Sequence, residues 1–271
     1  TFNGDQFNTT GAQRFEGGAG NDTINLGGGD DVAVGGAGDD AINGGDGTDT
    51  VTYADDVMMI TSDATGFVVT TEAEGRDTLN GVEKVVAGGQ TYLLVGNDGY
   101  ATLQDAVDAA VGGEIILLAT DVSGAVVVDA DALSSGSKGL TIKALGEGID
   151  LTGSITVSGT LGGEFKVEGL NVNAAGQTYG IFVDAGSDNF EGSITLDGVS
   201  VTGADSNGFA YILQGNGSGA ASSAATVGAI NILNSDFTAN VLNQGPQGGG
   251  SEILMFGYNQ DLTISNVQVT S

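Results

Sequence analysis

Residues 17–52 carry the feature that most limits what this chain can fold into. They read GGAGNDTIN, LGGGDDVAV, GGAGDDAIN and GGDGTDTVT, four nine-residue units with no insertion between them. Against the pattern G-G-x-G-x-D-x-U-x, with U a large apolar residue, three units fit at every fixed position. The unit at 26–34 departs twice, with Leu26 for the first Gly and the small Ala33 at the U site. A flexible Gly/Asp-rich linker does not keep an apolar residue in every ninth place, so the period calls for a repeating fold.

The spacing predicts how the units coil. Each unit pairs a six-residue turn with a three-residue strand, and two units make one coil of a right-handed parallel roll. Within each strand Ile24, Ala33, Ile42 or Val51 points inward and its neighbours face solvent. The glycines let the turn backbone adopt conformations closed to other residues and direct carbonyl oxygens inward. Carbonyls and carboxylates are hard oxygen donors, suited to Ca2+ rather than to zinc or copper. Turns on one edge lie two units apart, so Asp22 faces Asp40 and Asp31 faces Asp49. At least two Ca2+ sites are expected. The first combines Asp22 and Asp40 with the carbonyls of Gly18, Gly20, Gly36 and Gly38. The second combines Asp31 and Asp49 with those of Gly27, Gly29, Gly45 and Gly47. The outer positions Asn21, Asp30, Asp39 and Thr48 are read as solvated.

These residues resemble the RTX (repeats-in-toxin) family, closely over 17–52 and loosely to about Gly89. The resemblance implies a calcium-loaded β-roll, export by type I secretion, and an extracellular or cell-surface location.

Composition narrows the function classes. The net charge is −29, from 6 basic against 35 acidic residues, so nucleic acid and anionic membrane surfaces are poor partners. With 17 acidic residues, positions 1–98 are denser in negative charge than positions 99–271, which hold 18. Cysteine and histidine are both absent, which excludes disulfide frameworks, serine and cysteine triads and most zinc sites. Hydrophobic residues reach 40%, too many for a disordered acidic chain, yet no apolar run is long enough to span a membrane. A start at Thr1 and an end on Ser271 suggest a segment of a longer protein.

Beyond Thr52 the period lapses. Positions 57–62 and 67–75 read as two strands around an Asp63–Gly66 turn, and 75–96 returns to a half-repeat with Gly75, Asp77 and Leu79 in the Gly, Asp and U places. This is similar to the segment that closes RTX blocks. Asp77 is read as part of a structural turn rather than as a third calcium ligand. Upstream, 8–16 forms a degraded unit with Gln13 at the Asp position.

A boundary at Gly96–Gly99 divides the chain into 1–97, the roll with its closing strands, and 98–271. Thr102 and Asp105 open a short helix with Leu103, Ala106, Val107 and Ala110 on one face, ended by Gly112–Gly113 and followed by a buried strand at 114–119. Such a helix resembles the N-terminal cap of right-handed parallel β-helices of the pectate-lyase kind. Four segments overlay: FKVEGLNV (165–172), ITLDGVSV (194–201), INILNSDF (230–237) and LTISNVQV (262–269). Each has apolar residues at its first, third and eighth places. Gly169, Gly198, Asn234 or Asn266 stands at the fifth, as a left-handed bend requires. Their starts lie 29, 36 and 32 residues apart, one rung each with loops inserted. LTIKAL (140–145) and ITVSG (155–159) read as earlier strands. The expected fold is all-β: an RTX parallel β-roll, then a right-handed parallel β-helix with a short capping helix.

Two function classes follow. The first is a calcium-stabilised extracellular structural or adhesive module of surface-layer, adhesin or matrix type, its partners being copies of itself or cell-surface polysaccharide. The alternative is a polysaccharide-acting β-helix enzyme, a lyase or mannuronan epimerase. The enzyme reading must draw its base from Lys138, Lys143 and Lys166, or its acids from Asp184, Asp188, Glu191 and Asp205. The RTX block precedes the solenoid and no Asp-Pro-His-Asp motif occurs, so the structural reading ranks first and no catalytic residue is assigned.

Overall fold

The computed structural model describes residues 2–3, 11–133, 139–160, 162–186, 192–213, 228–238, 252–256 and 261–270. Lys138, Asp188 and Glu191 lie outside these residues. The chain forms two compact units, Thr1–Thr102 with Glu114–Thr120, and Leu103–Gly113 with Asp121–Ser271.

In the first unit the nine-residue period produces two parallel faces. On one, Thr23–Gly28, Ala41–Asp46 and Arg76–Asn80 stack so that Ile24, Ile42 and Leu79 lie in one column. On the other, Arg14–Ala19, Val32–Ala37, Thr50–Tyr53 and Lys84–Ala87 place Phe15, Ala33, Val51 and Val85 in a second. All four predicted U residues are at most 2% exposed. Leu26, the departure from the first glycine, also turns into the core.

The strands differ from expectation in length. Those of the first three nonads run six residues, not three, because the parallel ladder continues into the glycines, with Gly18 opposite Gly36 and Gly27 opposite Gly45; the fourth, Thr50–Tyr53, has four. The turn proper shrinks to three residues. After Tyr53 the chain makes a hairpin, Val57–Asp63 against Gly66–Thr71. It then returns through Arg76–Asn80, antiparallel to the hairpin and parallel to the roll. Gln90–Val95 pairs antiparallel with Lys84–Ala87 and parallel with Ile115–Leu118.

The second unit is a parallel β-helix with three sheets. One sheet stacks Leu140–Ala144, Phe165–Glu168, Ile194–Asp197, Ile230–Leu233 and Leu262–Ser265. A second stacks Val122–Ser123, Asp150–Thr152, Asn171–Asn173, Ser200–Thr202, Asp236–Thr238 and Gln268–Thr270. The four overlaid segments pair residue for residue, Phe165 with Ile194, Ile230 and Leu262, and Val172 with Val201, Phe237 and Val269. Their shared bend is left-handed, with φ of 69° at Gly169, 64° at Gly198, 50° at Asn234 and 52° at Asn266. The asparagines add a ladder: Asn266 Nδ2 donates to Asn234 Oδ1, and Asn234 Nδ2 to Asp197 Oδ1, both at 2.9 Å. The third sheet joins Val126–Asp129, Ile155–Ser158, Tyr179–Gly186, Asn207–Leu213 and Ile253–Phe256. ITVSG belongs to it.

The helix Leu103–Ala109 buries Leu103, Ala106 and Val107, the face read from the sequence. Its opposite side does a second job. Gln104 Nε2 donates to the Val127 carbonyl at 3.0 Å, and Gln104 Oε1 accepts from the Val127 amide at 2.7 Å. The primary amide thus imitates a strand and occupies the edge of Val126–Asp129, which begins its sheet. Gln104→Ala is expected to lower the unfolding free energy of this unit by about 1 kcal/mol, the net worth of such bonds at a wet edge, measured by urea denaturation.

Candidate metal centre

The roll's turns stack along two edges, and each edge carries a column of acids. On the first, the Asp22 amide donates to Asp40 Oδ1 at 2.8 Å, and the Asp40 amide to Asp77 Oδ1 at 2.8 Å. On the second, the Gln13 amide donates to Asp31 Oδ1 at 2.7 Å, the Asp31 amide to Asp49 Oδ1 at 3.0 Å, and the Asp49 amide to Glu83 Oε2 at 2.7 Å. Both predicted pairs, Asp22 with Asp40 and Asp31 with Asp49, are therefore neighbours in the stack.

One carboxylate oxygen is occupied in this way; the other is not. The Oδ2 atoms of Asp31, Asp40, Asp49 and Asp77 are buried and accept no hydrogen bond, and none of these residues is more than 2% exposed. A buried ionised oxygen without a partner is costly, so each of these atoms calls for a cation or a proton.

The glycines explain where other donors come from. Gly18, Gly20, Gly27, Gly29, Gly36, Gly38, Gly45 and Gly47 all have positive φ, between 98° and 134°. A Cβ on Gly36 would collide with the Gly18 carbonyl oxygen, on Gly38 with that of Gly20, on Gly45 with that of Gly27, and on Gly47 with that of Gly29. These carbonyls thus aim along the stack at the following coil. Carbonyls of the first glycines aim the other way, since a Cβ on Gly17 would meet the Gly35 oxygen. Glycine carbonyl oxygens thus press on the glycines of the neighbouring coil from both sides. Among the described residues no three His, Cys, Asp or Glu side chains gather as a metal-binding group, so any hard cation here would be held largely by backbone. The donor set fits Ca2+, which takes six to eight oxygens in flexible geometry.

Two features escaped the sequence reading. Gly17, Gly35 and Gly44 were not counted, yet a Cβ on Gly35 would collide with Asp40 Oδ2, and one on Gly44 with the Gly81 carbonyl. Their fixed place in three of the four nonads was the available signal. Glu83 was also missed, because it follows a shortened turn and carries the longer acid. The outer positions are exposed or half-buried but not merely solvated: Asp39 N donates to Asn21 Oδ1 and Thr48 N to Asp30 Oδ1.

The second unit's candidate base is differently placed. Lys143 Nζ lies 2.5 Å from Glu168 Oε1 and Lys166 Nζ 2.9 Å from Glu168 Oε2. That hydrogen-bonded carboxylate raises the Lys166 pKa, holding the amine in its protonated, non-basic form.

A scan of family models matches the RTX calcium-binding nonapeptide repeat (4 copies) over residues 7–40 and again over 16–51. The chain carries RTX calcium-binding repeats. They cover the acid columns from Gln13 to Asp49 but neither Asp77 nor Glu83. No match was found among curated proteins, and none among solved structures.

Burial, the largest cause, pushes the carboxyls of Asp49 and Asp77 up to about 6 and that of Glu83 up to about 7, with the neighbouring acids adding to it. Asp40 is raised for the same first reason. An acid raised on folding makes the folded state bind more protons than the unfolded chain. Metal-free stability is therefore greatest below about pH 4, the unfolded range, and is lost as pH rises through about 6 to 7. The metal-free roll should melt at a higher temperature at about pH 4.5 than at about pH 7.5, followed by circular dichroism. Gly36→Ala should cost more stability than Gly18→Ala. Both strain a positive φ, worth about 1–3 kcal/mol, but only Gly36 is pressed by a carbonyl of the preceding coil. Calcium-dependent unfolding midpoints of the two variants give the comparison.

Proposed function

We propose that residues 1–97 are a calcium-dependent folding module and that 98–271 form a stiff β-helical part of an extracellular structural or adhesive protein. The Asp22–Asp40 pair with Gly18, Gly20, Gly36 and Gly38 holds one Ca2+, and the Asp31–Asp49 pair with Gly27, Gly29, Gly45 and Gly47 holds another. The observation that carries this reading is that Asp31, Asp40 and Asp49 are buried, each with one carboxylate oxygen bonded to the neighbouring coil and the other accepting no hydrogen bond.

The energetics support it. A Gly-rich segment pays a large ordering entropy, and stacking like charges adds to the cost. A divalent cation between coils offsets the repulsion and cross-links the turns, so metal affinity becomes folding energy. Extracellular calcium modules work at roughly 10⁻⁴–10⁻³ M, far above cytosolic levels. A roll tuned to that range stays unfolded in the cell, passes a secretion channel, and folds outside. The net charge of −29 disfavours nucleic acid and anionic bilayers, which leaves copies of the same chain or cell-surface polysaccharide as partners. No helix of the described residues is long and apolar enough to cross a membrane.

Titrating Ca2+ into the metal-free chain should increase the β-sheet circular dichroism and shield the roll from protease, with both effects reversed by chelator. Identical spectra and digestion patterns with and without Ca2+ would overturn the proposal.

A further inference from the structure

The roll's two faces treat their outward residues differently. A roll strand requires only its central apolar residue, and the positions on either side are free to vary. On one face they do vary: Arg14 and Glu16, Val32 and Val34, Thr50 and Thr52, then Lys84 and Val86 flank the core residues of successive strands. On the other face the chain reads TFN at 1–3, TIN at 23–25, AIN at 41–43 and TLN at 78–80. Parallel register sets Asn3, Asn25, Asn43 and Asn80 at one position, and Thr23, Ala41 and Thr78 at another. The triplets at 1–3 and 78–80 lie outside the four nonads, so the nine-residue repeat does not account for them. Asparagine is also depleted in strands, and the fold has no need of it here.

We propose that this face binds an uncharged, extended polysaccharide through its Asn and Thr side chains. The proposal deepens the polysaccharide-partner reading above and rests on it. The two columns floor a groove of about 340 Å³ that Thr65 of the hairpin turn also lines. Asn80 Nδ2 donates to the Thr65 carbonyl at 3.4 Å, which ties that turn to the sheet. No residue lining the groove is charged, in a chain with 35 acids. Nor is the asparagine column a structural ladder. At the β-helix corners Asn266 Nδ2 bonds to Asn234 Oδ1 at 2.9 Å. The side chains of Asn25 and Asn43, by contrast, make no hydrogen bond among the described residues. Each of these amides therefore keeps its donors and its acceptor for a ligand.

The spacing and charge of the array narrow the ligand. Neighbouring amides stand about 4.8 Å apart across the strands, close to the repeat of one sugar ring in an extended glycan. Each can both give and take a hydrogen bond with a pair of adjacent hydroxyls. Thr23 and Thr78 add hydroxyls about 6.6 Å along the strand. A flat sheet suits a ribbon-like β-1,4-linked chain rather than a compact sugar. The net charge of −29 disfavours a uronate polymer, and a second copy of this chain, on the same face. No aromatic side chain lines the groove, so single rings bind weakly and affinity accumulates along the glycan.

Hexamers of β-1,4-linked glucose and of β-1,4-linked mannose are titrated calorimetrically into the full chain in Ca2+, with a guluronate hexamer as the charged control. At least one neutral hexamer should bind, more tightly than its dimer, and the uronate should not. Combining Asn25→Val with Asn43→Val should weaken that binding at least about tenfold. Valine suits a strand position, so the double variant should keep its circular dichroism and melting temperature. A drop in melting temperature alongside the lost binding would assign the asparagines a structural role and overturn the site. Should the double variant not fold, Asn43→Ser at its exposed position carries the same comparison. Undiminished binding by a folded variant would overturn the groove and leave a polysaccharide partner standing. Binding of the uronate alone would overturn the neutral ligand, and binding of none of the three would remove the polysaccharide partner as well. Self-association in sedimentation that the double variant abolishes, without glycan binding, would give the face to a second copy instead.

Discussion

One interaction organises the roll: a backbone amide at the end of each turn donates to the acid of the next turn on the same edge. It fixes the vertical register of the coils, because an aspartate side chain is short and leaves little slack. It also orients the carboxylate so that the second oxygen is driven into the turn, away from water and away from any protein donor. The fold therefore carries a built-in electrostatic deficit at Asp31, Asp40, Asp49 and Asp77. Glycine makes this possible, since only a residue without Cβ lets carbonyls of adjacent coils approach the same space. The stacking and the proposed metal requirement have a common origin in this geometry. The same bond that stacks the coils creates the unpartnered oxygen.

A stack built this way must also be ended, and the two edges end by different chemistry. One keeps a full-length turn at 72–77 with Asp77 in place. The other is shortened and compensated by Glu83, whose longer side chain bridges the lost length. The hairpin between Val57 and Thr71 supplies the antiparallel partner for the returning strand, which finishes one face of the roll. In the β-helix the problem of an open end is met by the Gln104 amide, which occupies the backbone groups of Val127 at the edge of its sheet. Both units thus close parallel stacks with side chains that mimic or capture main-chain partners.

The β-helix owes its regularity to a different device. Its corners need a left-handed residue, and glycine or asparagine supplies it at Gly169, Gly198, Asn234 and Asn266. Where asparagine stands, its side chain bonds to the corner one rung earlier, Asn266 to Asn234 and Asn234 to Asp197, and stiffens it. The Lys143–Glu168–Lys166 group on the outer face is a compensated ion network. Its carboxylate satisfies both amines, which makes it a surface feature of the sheet rather than a source of basic chemistry.

Much of this was legible in residues alone, for reasons that lie in periodicity. Asp22, Asp40, Asp31 and Asp49 are placed by a strict repeat, and a repeat determines register without reference to anything distant. The same holds for the four overlaid rung segments, whose apolar alternation and bend residue recur at fixed offsets. What the repeat does not encode was decided in three dimensions. The third β-helix sheet is carried on inserted stretches of unequal length, so no overlay reveals it. Asp77 and Glu83 reach their columns after 37 and 34 residues rather than 18, because a hairpin and a shortened turn intervene. Sequence sets local geometry wherever spacing is constant. Where spacing breaks, only the packing of one coil on the next determines which acid faces which.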